Sequence, residues 1–178
     1  ITPFVHLYTK EITDTNYNQP LFGFLLVVSE ALYLVKLPHL NLAYSANKFK
    51  EITIPAYTEA ILNIAISVAL VKKFGLIGVT IGTIVGMTYR MAFHVYYTSK
   101  IVPGRVQSIF YRKFFLFSAG SGAGFILCYK LLPLRTVTVV NWIFHAIFYC
   151  VVIESILLVI SMLFFQNEVK FFAKYIKR

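Results

Sequence analysis

Residues 137–165 read VTVVNWIFHAIFYCVVIESILLVISMLFF, a stretch that contains one acidic residue, Glu154, and neither lysine nor arginine. A helix needs roughly 20 mainly apolar residues, each rising about 1.5 Å, to cross the hydrocarbon core of a bilayer. The stretch exceeds that length and lacks the alternation of apolar and polar residues that is typical of a strand. It therefore predicts a helix that spans a membrane.

Four further windows of the same kind lie upstream, at residues 20–44, 52–71, 74–97 and 114–132. Transmembrane β-barrels are built from strands of roughly ten residues with alternating apolar and polar side chains, and the sequence has no such pattern. We therefore predict an all-α fold, a polytopic transmembrane helix bundle of about five full spans.

The composition agrees with a membrane location. Hydrophobic residues make up 58% of the 178 and charged residues 13%. In soluble domains about half of the residues are apolar and about a quarter are charged. A small domain has too little interior to bury the excess of apolar residues found here. The net charge of +10 comes mostly from basic residues in short loops between apolar runs, where topology and anionic headgroups account for them. We expect membrane lipids as partners and no nucleic acid.

The chain divides into three predicted parts. Residues 1–19 are expected to hold the end of a preceding span and an outer loop, 20–165 a five-span lobe, and 166–178 a basic cytoplasmic tail. The opening residues ITPFVHLY look like the tail of a segment that begins upstream, so we expect a fragment of a longer protein.

Orientation is predicted from lysine and arginine, which are enriched in cytoplasmic segments. An outside N-terminus places ten of them inside and five outside, which favours an outside N-terminus and a cytoplasmic C-terminus in a plasma or inner membrane. The ten are Lys48, Lys50, Lys100, Arg105, Arg112, Lys113, Lys170, Lys174, Lys177 and Arg178, and the five are Lys10, Lys72, Lys73, Lys130 and Arg135.

Among the ionisable side chains inside the predicted spans, five stand out: Glu30, Lys36, Glu59, Arg90 and Glu154. Such residues are costly at membrane depth and usually face a cavity or a partner. Lys36, Glu59 and Arg90 lie close enough to span ends for their charged groups to reach the headgroup layer, which is the alternative to a functional role. Glu30 and Glu154 lie nearer the centre of their spans.

Polar residues recur along single helix faces, because residues three or four apart share a face. One interpretation is a hydrated cavity between these stripes, made positive by Arg90 and Lys36. The alternative is that the polar side chains hydrogen-bond between helices. The stripes are Glu59, Asn63 and Ser67; Thr80, Thr83, Met87, Arg90 and His94; and Asn141, His145 and Tyr149.

Glycines and cysteines point to packing rather than chemistry. Gly78, Gly82 and Gly86 have the small-residue spacing of closely packed membrane helices. Cys128 and Cys150 fall inside apolar runs and are expected to be packing residues.

The histidines show no metal-ligand spacing. We predict no catalytic residues, no metal site, no cofactor and no enzyme. A membrane-embedded transferase is the alternative, with His145 beside Asn141 as its best candidate.

Several short runs are similar to one family of transporters. The runs KFKE at 48–51, EAILNI at 59–64 and KKFGLIGVTIGT at 72–83 resemble the Wzx-type polysaccharide flippases, whose superfamily also holds drug/cation antiporters and lipid II flippases. LYTK at 7–10, with Asp14 and Tyr17, is similar to the stretch after that family's seventh span, and NLAYSA at 41–46 to the inner end of its eighth. The resemblance covers the whole chain and is strongest over residues 38–90.

The resemblance implies one lobe of a two-lobed transporter, made of the end of the seventh span and the eighth to twelfth spans. Such a protein flips a polyprenyl-diphosphate-linked oligosaccharide from the inner to the outer leaflet by alternating access, for cell-surface polysaccharide synthesis. Its partners would be this substrate, membrane lipids and the missing N-terminal lobe. A lipid II flippase or a cation-coupled small-molecule antiporter of the same fold is the first alternative, and a non-transporting assembly subunit is a further class.

Roles can be assigned from the chemistry of the residues. Arg90 offers a planar fork and Lys36 a point charge for a diphosphate. The other substrate-binding candidates are Asn63, Thr83, His94 and His145. Candidates for coupling to a proton or sodium ion are Glu30, Glu59 and Glu154, of which Glu30 and Glu59 could instead neutralise the cations in the empty state.

Overall fold

The structure is a computed structural model that describes residues 19–134 and 138–166 together with Val5, Phe171 and Lys174. Within these residues, five helices are long and apolar enough to cross a membrane. They are α1 (Pro20–Ser45), α2 (Phe49–Phe74), α3 (Leu76–Ile101), α4 (Gln107–Leu131) and α5 (Val139–Phe164). The predicted all-α fold with five spans is confirmed, and the chain is a multi-pass membrane protein.

The helices extend beyond several of the predicted windows. α2 covers residues 49–74 against the predicted 52–71, and α4 begins at Gln107 rather than at Phe114. The added residues are largely polar or basic. Apolar windows mark the hydrocarbon depth alone, whereas a helix can continue its backbone hydrogen bonds into the headgroup layer. The difference is therefore one of helix ends, not of the number of spans.

Two prolines lie inside helices, Pro38 in α1 and Pro55 in α2, and both helices continue past them. Proline removes one backbone donor and commonly kinks or ends a helix. Membrane helices tolerate it where neighbouring groups satisfy the freed carbonyl. Neither proline ends a span here.

The connection between α2 and α3 is a single residue, Gly75, whose φ of 55° lies in the left-handed region. Glycine adopts this conformation at little steric cost because it has no Cβ. The Gly75 N–H donates to the Val71 carbonyl oxygen at 2.9 Å, and the Gly78 N–H donates to the Gly75 carbonyl oxygen at 3.1 Å. This turn returns the chain alongside α2.

Residues Ile1–Ser108 form one compact unit, in which α3 packs against both α1 and α2. A Cβ added to Gly82 would lie 2.9 Å from the Asn63 carbonyl oxygen, and one on Gly86 would lie 3.0 Å from the Glu59 carbonyl oxygen. Real side chains rarely tolerate such distances, so glycine allows α3 to approach the α2 backbone closely. The close packing predicted from the glycine spacing is observed. Near the α1–α2 connection, a small apolar core of Leu40, Ala43 and Ile52 is covered by Tyr97 and Ile101.

Residues Ile109–Arg178 form a second compact unit, whose described part contains most of α4 and all of α5. A Cβ on Gly124 would lie 3.2 Å from the Ile153 side chain, so the two helices meet closely there. The Phe125 and Tyr149 rings lie 5.9 Å apart, nearly edge to face. No residue of α5 is buried, which suits a helix whose apolar surface meets lipid or further protein.

Two predicted parts lie largely outside the described residues. These are the end of a preceding span with its outer loop at 1–19, of which the structure describes only Val5 and Gln19, and the basic tail at 166–178, of which it describes only Gln166, Phe171 and Lys174.

Candidate functional site

Three of the ionisable residues singled out from the sequence meet in the first unit, each on a different helix. Glu59 of α2 lies between Lys36 of α1 and Arg90 of α3. Its Oε2 accepts a hydrogen bond from the Arg90 guanidinium at 2.5 Å, and its Oε1 lies 3.9 Å from the Lys36 Nζ. We call these three residues the ion cluster. It carries two positive charges and one negative charge, so it has a formal net charge of +1.

The ion cluster is shielded by the helices that supply it. Lys36 is 2% exposed and Glu59 9% exposed, while the Arg90 side chain is 19% exposed. The Lys36 Nζ also lies 4.7 Å from the centre of the Tyr33 ring and 3.7 Å from the Met87 Sδ. An ammonium group buried in this way is held by its ion pair and by the π-face of the aromatic ring. The interpretation that these residues extend to the headgroups does not fit Lys36 or Glu59.

His94 extends the ion cluster by one helical turn of α3. The Arg90 Nε donates to the His94 Nε2 at 3.4 Å, which leaves the proton of a neutral ring on Nδ1. His94 is fully buried, and its Nδ1 has no hydrogen-bond partner among the residues that the structure describes. A buried polar atom without a partner is uncommon in native proteins. The Nδ1 of His94 is therefore a buried, unsatisfied donor one helical turn from Arg90.

Asn63 and Thr83 hold α2 against α3. The Asn63 Nδ2 donates to the Thr83 Oγ1 at 3.4 Å, and the Ser67 hydroxyl donates to the Asn63 Oδ1 at 3.0 Å. The Ser67 hydroxyl also lies 3.3 Å from the Val79 carbonyl oxygen. This part of the two stripes matches interhelical hydrogen bonding rather than a cavity between them. Asn63 and Thr83 are therefore structural supports of the ion cluster in this conformation.

A second polar network, which the sequence analysis did not single out, follows the same faces of α1 and α3. The Thr98 Oγ1 lies 2.8 Å from the His39 Nδ1, and the Arg105 guanidinium lies 3.3 Å from the same nitrogen. His39 is three residues after Lys36, and Thr98 is four after His94. Helical spacing from residues already chosen could therefore have found both. No sequence signal placed Arg105 beside α1.

The remaining candidates are Glu30 on α1 of the first unit, and Glu154 and His145 on α5 of the second unit. Glu30 and Glu154 are exposed on the surfaces of α1 and α5, and neither has a hydrogen bond or an ion pair with any residue in the described ranges. His145 belongs to the second unit, where its Nδ1 donates to the Asn141 carbonyl oxygen at 2.7 Å. Its Nε2 is buried and has no partner within the described part of the chain.

The protein is therefore a multi-pass α-helical membrane protein, and three of its spans hold a buried ion cluster with a net positive charge. Comparison with protein-family models, with curated proteins and with solved structures gives no match to the chain. Among the described residues, no three His, Cys, Asp or Glu side chains gather as metal ligands.

Proposed function

We propose that the chain is one lobe of a two-lobed flippase that moves a polyprenyl-diphosphate-linked oligosaccharide across a plasma or inner membrane by alternating access. The observation that supports this most is the ion cluster. Lys36 and Arg90 place an excess positive charge inside a bundle of membrane helices. A charge there is costly, so charged residues in membrane spans usually mark a functional site. An anionic headgroup that crosses the bilayer needs such a charge. The resemblance to Wzx-type flippases points to the same substrate class.

In this proposal, Glu59 occupies the substrate's place in the empty state. Its carboxylate contacts both cations and so lowers the cost of keeping them buried. A diphosphate offers more oxygen acceptors and more charge than one carboxylate, so it can displace Glu59 and accept a bidentate contact from Arg90. His94 Nδ1 supplies a further donor one turn away. The geometry binds and shelters the substrate, and no bond is broken.

The proposal includes an orientation and a direction of transport. The N-terminus lies outside and the C-terminus in the cytoplasm, and, as the resemblance implies, the substrate is loaded from the inner leaflet and released to the outer one. The lobe that would complete the transporter is expected to contribute the opposite wall of the pathway. A lipid II flippase or a cation-coupled antiporter would use the same fold, and the two are distinguished from this proposal by the substrate that is exported.

A non-transporting membrane subunit is the second candidate function. It is favoured by Asn63, Ser67 and Thr83, whose side chains satisfy one another between α2 and α3. In that case the ion cluster would have a structural role alone.

Export by cells that carry single variants tests the proposal. Lys36→Met removes a cation but leaves the neutral Arg90–Glu59 pair, and Arg90→Ala removes the bidentate donor. Each change deletes a charged hydrogen bond to the diphosphate, so we expect surface polysaccharide to fall by at least about tenfold. Lys130→Met, which removes an exposed cation at the end of α4, is the matched control and should export normally.

The amount of each variant in the membrane must be measured by immunoblot in the same cells. Unchanged surface polysaccharide in Lys36→Met and Arg90→Ala would contradict the proposal and favour the structural role. Accumulation of the lipid-linked oligosaccharide in the inner leaflet would support it.

A further inference from the structure

One ring nitrogen of His39 contacts two other parts of the first unit. His39 lies on α1 and is 4% exposed. Its Nδ1 lies 2.8 Å from the Thr98 Oγ1 on α3, and 3.3 Å from a guanidinium nitrogen of Arg105. Arg105 belongs to the connection between α3 and α4, at residues 102–106. None of these three residues belongs to the ion cluster, and the proposed function does not use them.

The two contacts of the His39 Nδ1 require different protonation states. A guanidinium group only donates hydrogen bonds, so the contact with Arg105 requires an Nδ1 that carries no proton. The Thr98 hydroxyl donates to the His94 carbonyl oxygen at 2.8 Å, so the Thr98 oxygen can accept from an Nδ1 that does carry one. A single nitrogen cannot accept from Arg105 and donate to Thr98 at the same time. The protonation state of His39 therefore selects between the two partners.

We propose that His39 is a proton-binding site that controls how the α3–α4 connection is held. In the neutral ring the Nδ1 accepts from Arg105, and this contact ties the connection to α1. Both nitrogens of the protonated ring are donors. The Nδ1 then donates to Thr98, and the Arg105 guanidinium faces an N–H group and a second positive charge. Binding of a proton at His39 thus releases Arg105. The inference does not depend on the transport function.

The cations around His39 come from three elements. Arg105 of the connection is in direct contact. Lys36 lies three residues earlier on α1, and His94 lies four residues before Thr98 on α3, so both share the faces that carry this network. Lys36 is buried and paired with Glu59, whereas Arg105 is held by its contact with His39 and lies outside the helices. Arg105 is therefore the cation that can move away from a charged His39.

The carboxylates of α2 are already paired with other cations. Glu59 contacts Lys36 and Arg90, and Glu51 contacts Lys48 at 3.5 Å on the exposed surface. Neither is paired with His39 in the part of the chain that the structure describes. A proton on His39 is therefore not offset by a carboxylate of α2, and the repulsion acts on Arg105.

The position of Arg105 allows it to leave without unfolding a helix. The connection joins two spans and so lies at a membrane surface, where water and headgroup phosphates can accept its hydrogen bonds. The start of α4 is held separately, because the Gln107 side chain donates to the Ser99 hydroxyl at 2.8 Å. Neither of these groups titrates, so the effect of the proton is confined to the connection.

The mobility of a spin label in the connection tests the proposal. The label is attached at Val106→Cys, an exposed position next to Arg105, in a full chain that also carries Cys128→Ala and Cys150→Ala. Spectra are recorded in phosphatidylcholine nanodiscs between about pH 8 and about pH 4, a range that contains the titration of histidine. Loss of one charged hydrogen bond changes an equilibrium by about tenfold. We expect the ratio of mobile to immobile label to rise by that factor as the pH falls.

Two variants separate the proton from the contact that it breaks. Asparagine carries its oxygen as many bonds from Cβ as the histidine Nδ1, accepts from arginine and does not titrate. His39→Asn should therefore keep the label immobile at both pH values. Arg105→Met removes the donor and should make the label mobile at both. Circular dichroism checks that each variant keeps its helix content.

Two controls separate His39 from other effects of acid. His94→Asn replaces another buried histidine on the same faces, and the response at Val106 should remain. A label at Lys73→Cys, at the exposed end of α2, should show no response. The proposal is overturned by a label at Val106 that does not respond to pH, by a response that persists in His39→Asn or disappears in His94→Asn, by an immobile label in Arg105→Met, or by an equal response at Lys73.

Discussion

Substitution of Glu59 should lower the free energy of unfolding, whereas substitution of Lys36, one of the two cations that Glu59 contacts, should leave it nearly unchanged. Glu59→Gln removes the only carboxylate of the ion cluster and leaves Lys36 and Arg90 facing a neutral amide. At an effective dielectric constant of about 20, the lost attractions amount to roughly 4 kcal/mol for the contact at 3.9 Å and roughly 7 kcal/mol for that at 2.5 Å. Part of this sum offsets desolvation, and removing one member of a buried ion pair typically costs 3–5 kcal/mol. We expect a loss of about 3 kcal/mol.

Lys36→Met should behave differently, because it leaves a neutral pair behind. Methionine has a similar length and no charge, so the cost of burying an ammonium group that is 2% exposed disappears together with its ion pair. We expect the free energy of unfolding to stay within about 1 kcal/mol of the original value. The double variant Glu59→Gln/Lys36→Met should be more stable than Glu59→Gln alone, since only Arg90 then lacks a counter-charge.

Reversible unfolding in mixed micelles, with increasing fractions of a denaturing detergent and far-ultraviolet circular dichroism as the signal, measures these differences. Glu51→Gln is the matched control, because Glu51 pairs with Lys48 at 3.5 Å where both side chains are more than two-fifths exposed. Exposed pairs contribute about 0–1 kcal/mol, so this variant should unfold almost as the original chain does. An equal loss of unfolding free energy in Lys36→Met and Glu59→Gln would contradict this reasoning. An equal loss in Glu51→Gln and Glu59→Gln would contradict it as well.

Two further predictions concern helix packing and use the same unfolding measurement. Gly82→Ala places a methyl group against the Asn63 carbonyl oxygen and should lower the free energy of unfolding by about 1–3 kcal/mol. Gly122→Ala, where nothing lies within 4 Å, should not lower it, and an equal loss in both would contradict the packing argument. Tyr149→Phe removes the hydroxyl that donates to the Leu132 carbonyl oxygen at 3.0 Å, and should cost about 0.6 kcal/mol, the average for hydrogen bonds between membrane helices. A loss above about 2 kcal/mol would show that the hydroxyl has another role.

The number and type of the helices could be predicted from the sequence because a bilayer imposes a minimum length on apolar runs. The ends could not. α4 begins at Gln107 rather than at the predicted Phe114, since Arg112 and Lys113 lower the apolarity of its first turns without interrupting backbone hydrogen bonding. Hydropathy indicates where hydrocarbon surrounds a helix, and helix propensity with capping decides where the helix stops.

The candidate site was predicted in part. Helical spacing placed Glu59 and Asn63 on one face of α2, and the glycine repeat indicated which face of α3 lies close to another helix. Neither signal could show that Lys36 of α1 lies opposite Glu59, because pairing between helices that are distant in sequence depends on tertiary packing. The same limit explains why Arg105 was not predicted to contact His39. The stripe on α5 belongs to the second unit, so the interpretation that all three stripes line one cavity stays a prediction.

Glu30 and Glu154 bear on what surrounds these helices in the membrane. Both carboxylates lie in the interior of a span and both are exposed on its surface, among apolar neighbours such as Leu34 and Leu158. A charged carboxylate surrounded by acyl chains costs several kcal/mol, so such residues face water or polar protein groups in a folded membrane protein. The faces of α1 and α5 that carry them are therefore expected to border a hydrated pathway or another protein surface rather than lipid. A transporter assembled from two lobes has such faces, whereas an anchor surrounded by lipid would expose these carboxylates to acyl chains. The ion cluster in the first unit and the two exposed carboxylates thus favour the same proposal for independent reasons.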